Sequence, residues 1–234
     1  NTPGVLDDSV AEHTVSLMLA AARQIPRLTA AMRAGDWTPA TGRELRGRTL
    51  AIIGCGPIGT TVARIASRGF EMHVIGCYRR SRPRQADSYD ELTTDFAAAV
   101  AHADFVSLHI PATPENTQFL NAARLALLAP GAWLLNTARG SIVEESSLYD
   151  ALRDNRLAGA ALDVFPAEPY VPADPHQDLR SLPNTILTPH IGSNTEDANR
   201  RMAERALRNV ALAVQGDYAC MDLLNPEVLE RQAS

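Results

Sequence analysis

The chain has 234 residues, 45% of them hydrophobic and 21% charged, with a formal net charge of -5 at pH 7. These proportions fit a globular protein of one large domain, or one domain plus part of another, and the acidic balance gives no electrostatic reason for a nucleic-acid partner. No apolar run approaches the ~20 residues that a membrane span needs and no signal peptide opens the chain, so no membrane association and a cytoplasmic location are expected. The three cysteines, Cys55, Cys77 and Cys220, lie far apart without a CxxC spacing, so neither a disulfide framework nor a metal site is expected. All 22 basic residues are arginine. That excludes chemistry that needs a lysine, such as a P-loop, a Schiff base or a pyridoxal-phosphate anchor.

In chain order, Asp7, Asp8 and Ser9 are capping types ahead of a long apolar helix that includes Val10, Leu17, Leu19, Ala20 and Ala21. The helix is read as far as Met32 or Arg33, with Pro26 as a kink or break, before a Gly/Pro-rich connection from Gly35 to Gly47. Short β-rich runs then recur at Thr49–Ile53, Met72–Gly76, Phe105–Ile110, Ala132–Asn136, Gly159–Asp163 and Thr185–Thr188. Helical spacing appears between them at Thr60–Ser67, Asp95–His102 and Glu144–Asn155, and a last helix runs from Asn194 to Gln215. Strands apolar on both faces, alternating with helices, predict an α/β fold with a mostly parallel sheet covered on both sides.

The first strand runs straight into Gly54-Cys55-Gly56-Pro57-Ile58-Gly59, a GxGxxG set that opens the next helix. In that context Gly54 serves the tight turn, Gly56 lets the backbone approach a pyrophosphate, and Gly59 lets helix and strand pack closely. The pyrophosphate would meet free N–H groups and the positive end of the helix dipole. A site selective for NAD usually has an acid about 20 residues further on, at the end of the second strand. Here the run is Tyr78-Arg79-Arg80-Ser81-Arg82, without an acid. Guanidinium groups and a hydroxyl suit a 2′-phosphate, which a carboxylate would repel, so NADP(H) is favoured over NAD(H).

Three later segments place polar residues just past β-rich runs, where open α/β sheets hold their ligands. They are Asn136-Thr137-Ala138-Arg139-Gly140, Asp163-Val164-Phe165-Pro166-Ala167-Glu168-Pro169 and Thr188-Pro189-His190-Ile191-Gly192-Ser193. Taken singly, each has a bland explanation: an arginine paired with a surface acid, a loop glutamate, a histidine that caps a helix. Taken with the glycine motif, with Asn1-Thr2-Pro3-Gly4, with Ser9-Val10-Ala11-Glu12 and with His109-Ile110-Pro111-Ala112-Thr113, the chain closely resembles the D-isomer-specific 2-hydroxyacid dehydrogenases. The resemblance extends to Asn225-Pro226.

It implies a Rossmann-type doubly wound parallel sheet for residues 5–193, with 1–4 and 194–234 as remnants of a second, flavodoxin-like substrate domain. It also implies that Arg139, Glu168 and His190 perform the chemistry. The arginine's planar fork fixes a carboxylate and polarises the 2-oxo group, the histidine exchanges the proton, and the glutamate holds the imidazole. Glutamate at 168 argues against the formate dehydrogenase branch. Among the cofactor contacts implied, Asp163 matches the position at the nicotinamide carboxamide and Thr14 one near the phosphates. Ile110, Thr137, Ala138 and Gly192 match residues that line the cofactor.

The run from Tyr78 to Ser81 is similar to that of NADPH-dependent glyoxylate and hydroxypyruvate reductases, which makes a small 2-oxo acid the expected substrate. The alternatives are an NAD(H)-sensing corepressor-like interaction protein, which retains the same three residues, and a D-lactate or phosphite dehydrogenase. Without most of the substrate domain, the chain is expected to bind cofactor and to turn over poorly. A homodimer is also expected, with Leu17, Met18, Leu19 and Ile25 as apolar positions for a partner surface. His13, His73, His102, His109 and His176 are read as structural.

Overall fold

The computed structural model describes residues 1–79, 83, 85–225, 227 and 229. Helix α1 (Asp7–Ala22) begins with Asp7 and Asp8 inside its first turn, where they complement the positive dipole end, rather than as side-chain caps. The break that Pro26 announces is complete. Gln24 turns left-handed at φ 54, and Pro26 lies in the first turn of a separate helix α2 (Ile25–Arg33), where its missing N–H costs no hydrogen bond.

The remaining elements alternate: β1 (Thr49–Ile53), α3 (Pro57–Phe70), β2 (His73–Cys77), β3 (Glu91–Thr93), α4 (Phe96–Val100), β4 (Phe105–Leu108), α5 (Ala122–Leu125), β5 (Trp133–Asn136), α6 (Glu145–Arg153), β6 (Gly159–Leu162), β7 (Thr185–Leu187) and α7 (Glu196–Val214). Side-chain oxygens of Asp95, Asn121 and Thr195 cap α4, α5 and α7 by accepting backbone N–H groups.

Among the described residues, seven strands form one sheet in the order β3-β2-β1-β4-β5-β6-β7, and every pairing is parallel. The sheet is therefore wholly rather than mostly parallel. β3 is an additional three-residue edge strand, with Glu91 exposed and Leu92 and Thr93 half-buried.

Alternation along the strands feeds two cores. Ala51, Ile53, Val106, Leu108, Leu134 and Leu162 face a cluster with Val100 of α4, Leu125 of α5, and Leu148 and Leu152 of α6. Leu50, Ile52, Val74, Phe105 and Leu135 face the other side, against Val15 and Met18 of α1 and Val62 and Ala66 of α3. Each buried Leu or Ile contributes ~2 kcal/mol relative to exposure, so a one-residue slip of β1 would exchange residues shaped for two different cores. Leu17 and Met18 are thus core residues on the buried face of α1, not a partner surface; Ile25 is exposed.

Because the chain runs from β1 outward to β3 and then returns to β4 beside β1, a crevice opens at the carboxyl ends of β1 and β4.

Candidate active site

The glycine loop lies at that crevice. Gly54 has φ 103, and a Cβ there would stand 2.6 Å from the His109 carbonyl oxygen, so the β1 and β4 loops touch only because position 54 has no side chain. A Cβ on Gly59 would collide with the Gly54 carbonyl, which is the close helix–strand approach that its spacing predicts. Gly56 is the extended N-cap residue of the fourteen-residue α3, no side chain caps that helix, and nothing stands near the face where a Cβ of Gly56 would be. The first N–H groups of α3 thus have no side-chain cap and the space beside Gly56 is open, the arrangement that receives a phosphate.

A cavity of ≈ 680 Å³ extends from this loop along the strand ends. It is lined by Gly56, Pro57, Ile58, Ile110, Thr137, Ala138, Arg139, Asp163, His190 and Gly192, ten of the residues expected from sequence, and also by His109, Asp7 and Val10. A smaller one, ≈ 390 Å³, opens at the opposite end of the sheet beside Arg27, Asp104 and Trp133; none of the expected residues lines it. The larger cavity and its free N–H groups fit a dinucleotide in size and donor chemistry.

Residues beneath this surface hold its shape. Asn136, at the end of β5, donates to the Arg139 carbonyl (3.0 Å) and accepts the Ala138 N–H (3.0 Å), which folds the arginine loop over the strand end. Arg139 itself is exposed, and its Nη1 donates to the Ala138 carbonyl at 2.6 Å. Gly140 packs so closely on the Phe165–Pro166 backbone that no side chain fits, which joins the arginine loop to the one that carries Glu168. Thr14 does not open onto the cavity. It is fully buried, and its hydroxyl bonds the Val10 carbonyl and the Thr137 hydroxyl (2.8 and 2.7 Å), so it supports Thr137 from below.

His190 lines the larger cavity, and Glu168 reaches it from a neighbouring one that His190 also lines. Nδ1 of His190 is 2.6 Å from Oε2 of Glu168, and the other carboxylate oxygen accepts the Phe165 N–H at 2.9 Å. Burial opposes ionisation of Glu168, but the hydrogen bonds from His190 and from the Phe165 backbone outweigh it and hold its pKa below the ordinary carboxylate value. The contact commits Nδ1 and leaves Nε2 of His190 as the nitrogen free to exchange a proton.

Asp163 is 1% exposed and gathers several donors: the Thr188 hydroxyl (2.5 Å), the N–H groups of Ile191 (2.9 Å) and Gly192 (2.7 Å), and Nε2 of His13 at 3.3 Å. Burial raises its pKa and these bonds more than reverse the effect, so the carboxylate is ionised in the interior. His13 has no local sequence signal, and although Thr188 opens the His190 segment, only the fold shows that both contact Asp163.

At the end of β2, Tyr78 is half-buried and its N–H bonds the Thr93 carbonyl of β3 (3.0 Å), while Arg79 is exposed. Arg80 and Ser81, also expected at the cofactor, lie outside the described residues. Nearby, burial pushes the Cys55 thiol up to about 11 and raises that of Cys77, so neither is poised as a nucleophile. Among the described residues no group of three or more His, Cys, Asp or Glu is placed to hold a metal, and no helix is long and apolar enough to cross a membrane.

An all-parallel sheet with an uncapped glycine loop at its switch point and a carboxylate–imidazole pair at the same end of the sheet defines a dinucleotide-binding oxidoreductase of the Rossmann type. Residues 15–192 match the family described as D-isomer specific 2-hydroxyacid dehydrogenase, NAD binding domain. A glyoxylate reductase of Thermococcus litoralis is 37% identical over 238 residues, which cover 98% of this chain and 70% of that protein. Among solved structures, the TT0316 protein of Thermus thermophilus superposes with a TM-score of 0.83 at 41% identity, over 92% of this chain and 68% of that one. An acyclic imino acid reductase in complex with NADPH and D-Arg superposes with a TM-score of 0.82 at 30% identity, over 93% and 68%. The chain belongs to the D-isomer-specific 2-hydroxyacid dehydrogenase family.

Proposed function

We propose that the chain reduces a small 2-oxo acid of the glyoxylate or hydroxypyruvate class to the corresponding D-2-hydroxy acid, with NADPH favoured over NADH. The observation that carries this reading is the 2.6 Å contact of Glu168 with His190, which lines the same cavity as Arg139 and the glycine loop. When bound, the nicotinamide supplies the hydride in reduction and accepts it in oxidation.

The chain's own residues do the rest. Arg139 pairs its planar fork with the substrate carboxylate and polarises the 2-oxo group. His190, as imidazolium, delivers a proton from Nε2 to the carbonyl oxygen as that oxygen gains negative charge, and its neutral form takes the hydroxyl proton in the reverse direction. Glu168 holds the imidazole through Nδ1 and stabilises its charged form. One hydride and one proton convert the 2-oxo acid to the hydroxy acid.

The preference for NADPH is supported by the absence of an acid after β2, by exposed Arg79, and by the NADPH held in the imino acid reductase neighbour. Fluorescence titration with NADPH and NADH in parallel tests it. Binding of NADPH at least tenfold tighter, about 1.4 kcal/mol, is expected, and preference for NADH overturns the assignment. Initial rates with glyoxylate, hydroxypyruvate, pyruvate and phosphite then test the substrate.

On the same reading residues 5–193 are the cofactor domain, and the flanks belong to a substrate domain. The flanks meet, since Asn209 of α7 donates to the Asn1 carbonyl at 2.8 Å. A homodimer is proposed through α2 and the connection after it. No residue of α2 is buried, and Ile25, Met32 and Trp37 are all exposed. Light scattering of the chain and of Met32→Glu tests this, with a dimer expected only for the parent.

A further inference from the structure

We infer that His13 is a positioning residue for His190, acting through Thr188 and Asp163. The inference rests on the reading of His190 as the acid–base group.

His190 has φ 53, a left-handed backbone conformation uncommon for a residue other than glycine. What holds it here is Asp163. Its Oδ1 takes the hydroxyl of Thr188, two residues before His190, and the N–H of Ile191, the residue after it; its Oδ2 takes the N–H of Gly192. One buried carboxylate thus grips the chain on both sides of the histidine. Gly192 permits the grip, because a Cβ there would stand 3.0 Å from Oδ2.

His13 enters from α1, a separate element. Its Nε2 is 3.2 Å from the Thr188 hydroxyl oxygen and 3.3 Å from Asp163 Oδ1. An ionised carboxylate only accepts, and the single proton of Thr188 is committed to Asp163, so Nε2 of His13 must carry the proton in that contact. A donor at His13 therefore fixes which way the Thr188 hydroxyl points, and with it one of the bonds that hold His190 against Glu168. Without that donor, Thr188 is free to turn away and Asp163 loses partners that a buried carboxylate needs.

The test uses the 15N-labelled full chain. Long-range nitrogen–proton spectra of the unaltered protein are expected to show His13 protonated at Nε2, and an unprotonated Nε2 overturns the inference whatever the variants do. The second readout is the Nδ1 proton that His190 shares with Glu168. In His13→Leu its exchange with solvent is expected to quicken at least about tenfold, as for loss of one hydrogen bond to a charged group. His13→Gln, which keeps an N–H donor at the same reach, is expected to restore the slow exchange. Unchanged exchange in His13→Leu, or no restoration in His13→Gln, leaves His13 as a space-filling residue only. If His13→Leu does not fold, the tautomer and His13→Gln still decide. Failure of the acid–base reading is distinguished by His190→Gln, which would then retain turnover while the proton position on His13 stands unaltered.

Discussion

Nδ1 of His190 and Oε2 of Glu168 stand 2.6 Å apart although 22 positions separate them in the chain. The two residues follow different strands, β7 and β6, that lie side by side, so parallel pairing brings their loops to one rim. The same glutamate is tied to its own loop through the Phe165 N–H. The imidazole is therefore held by a group that is itself held.

Replacing His190 by Gln is expected to lower turnover by 10²–10⁴-fold, about the contribution of one positioned proton donor, and to leave NADPH affinity within about twofold. A parallel loss of cofactor affinity would mean that His190 shapes the cavity rather than exchanging a proton. Steady-state rates and a binding titration on the same preparation separate the two.

Glu168→Gln should change the acid side of the stability curve. The folded-state pKa of Glu168 is lowered from 4.5, so its ionised form stabilises the fold above that value, and the contribution disappears as pH falls through the folded-state value. Melting temperatures of parent and variant are expected to differ above pH 4.5 and to converge in stronger acid. A gap that widens as pH falls contradicts the sign.

Burial pushes His109 down to about 4 from 6.5, with Ser107 Oγ 2.8 Å from its Nε2. The unfolded chain then binds a proton on this histidine that the folded one refuses. Stability from His109 is complete above 6.5 and is lost progressively between 6.5 and about 4. His109→Gln is expected to flatten the fall in melting temperature over that interval, read by circular dichroism at half-unit steps.

Gly54→Ala places a methyl group against the His109 carbonyl at a φ of 103. The expected cost is about 2–4 kcal/mol of stability, from combined strain and overlap. Cofactor binding should fall further than stability alone explains, because the β1 and β4 loops must separate. Denaturant unfolding together with an NADPH titration checks both halves.

Arg139→Lys keeps the charge and removes the planar fork. The expectation is a KM for the 2-oxo acid raised at least about tenfold, as for loss of a bidentate charge-assisted pair, with NADPH affinity unchanged. Equal loss for cofactor and substrate would assign Arg139 to the cofactor side.

The parts of this molecule legible in the sequence are those set by short-range physics. The strand–glycine–helix passage at 49–59 is written in consecutive residues, because turn stereochemistry and the first helical N–H groups act over a few positions. The break at Pro26 was legible for the same reason. β3 was not, because three residues with one exposed and two half-buried side chains carry no detectable alternation, and only pairing with β2 makes them a strand. Leu17 and Met18 show where composition misleads: an apolar helix face looks alike whether a partner chain or its own sheet covers it.

By itself, then, the sequence determined the alternating α/β class, the glycine loop, and Arg139, Glu168 and His190 as the polar residues at strand ends. The tertiary structure alone decided that Thr14 supports Thr137 from beneath, that Asp163 grips both sides of His190, and that His13 belongs to that grip from 175 positions away. Hydrophobic periodicity and turn chemistry are properties of neighbouring residues. A hydrogen bond between elements depends instead on which strands the sheet sets side by side, and only the folded chain specifies that.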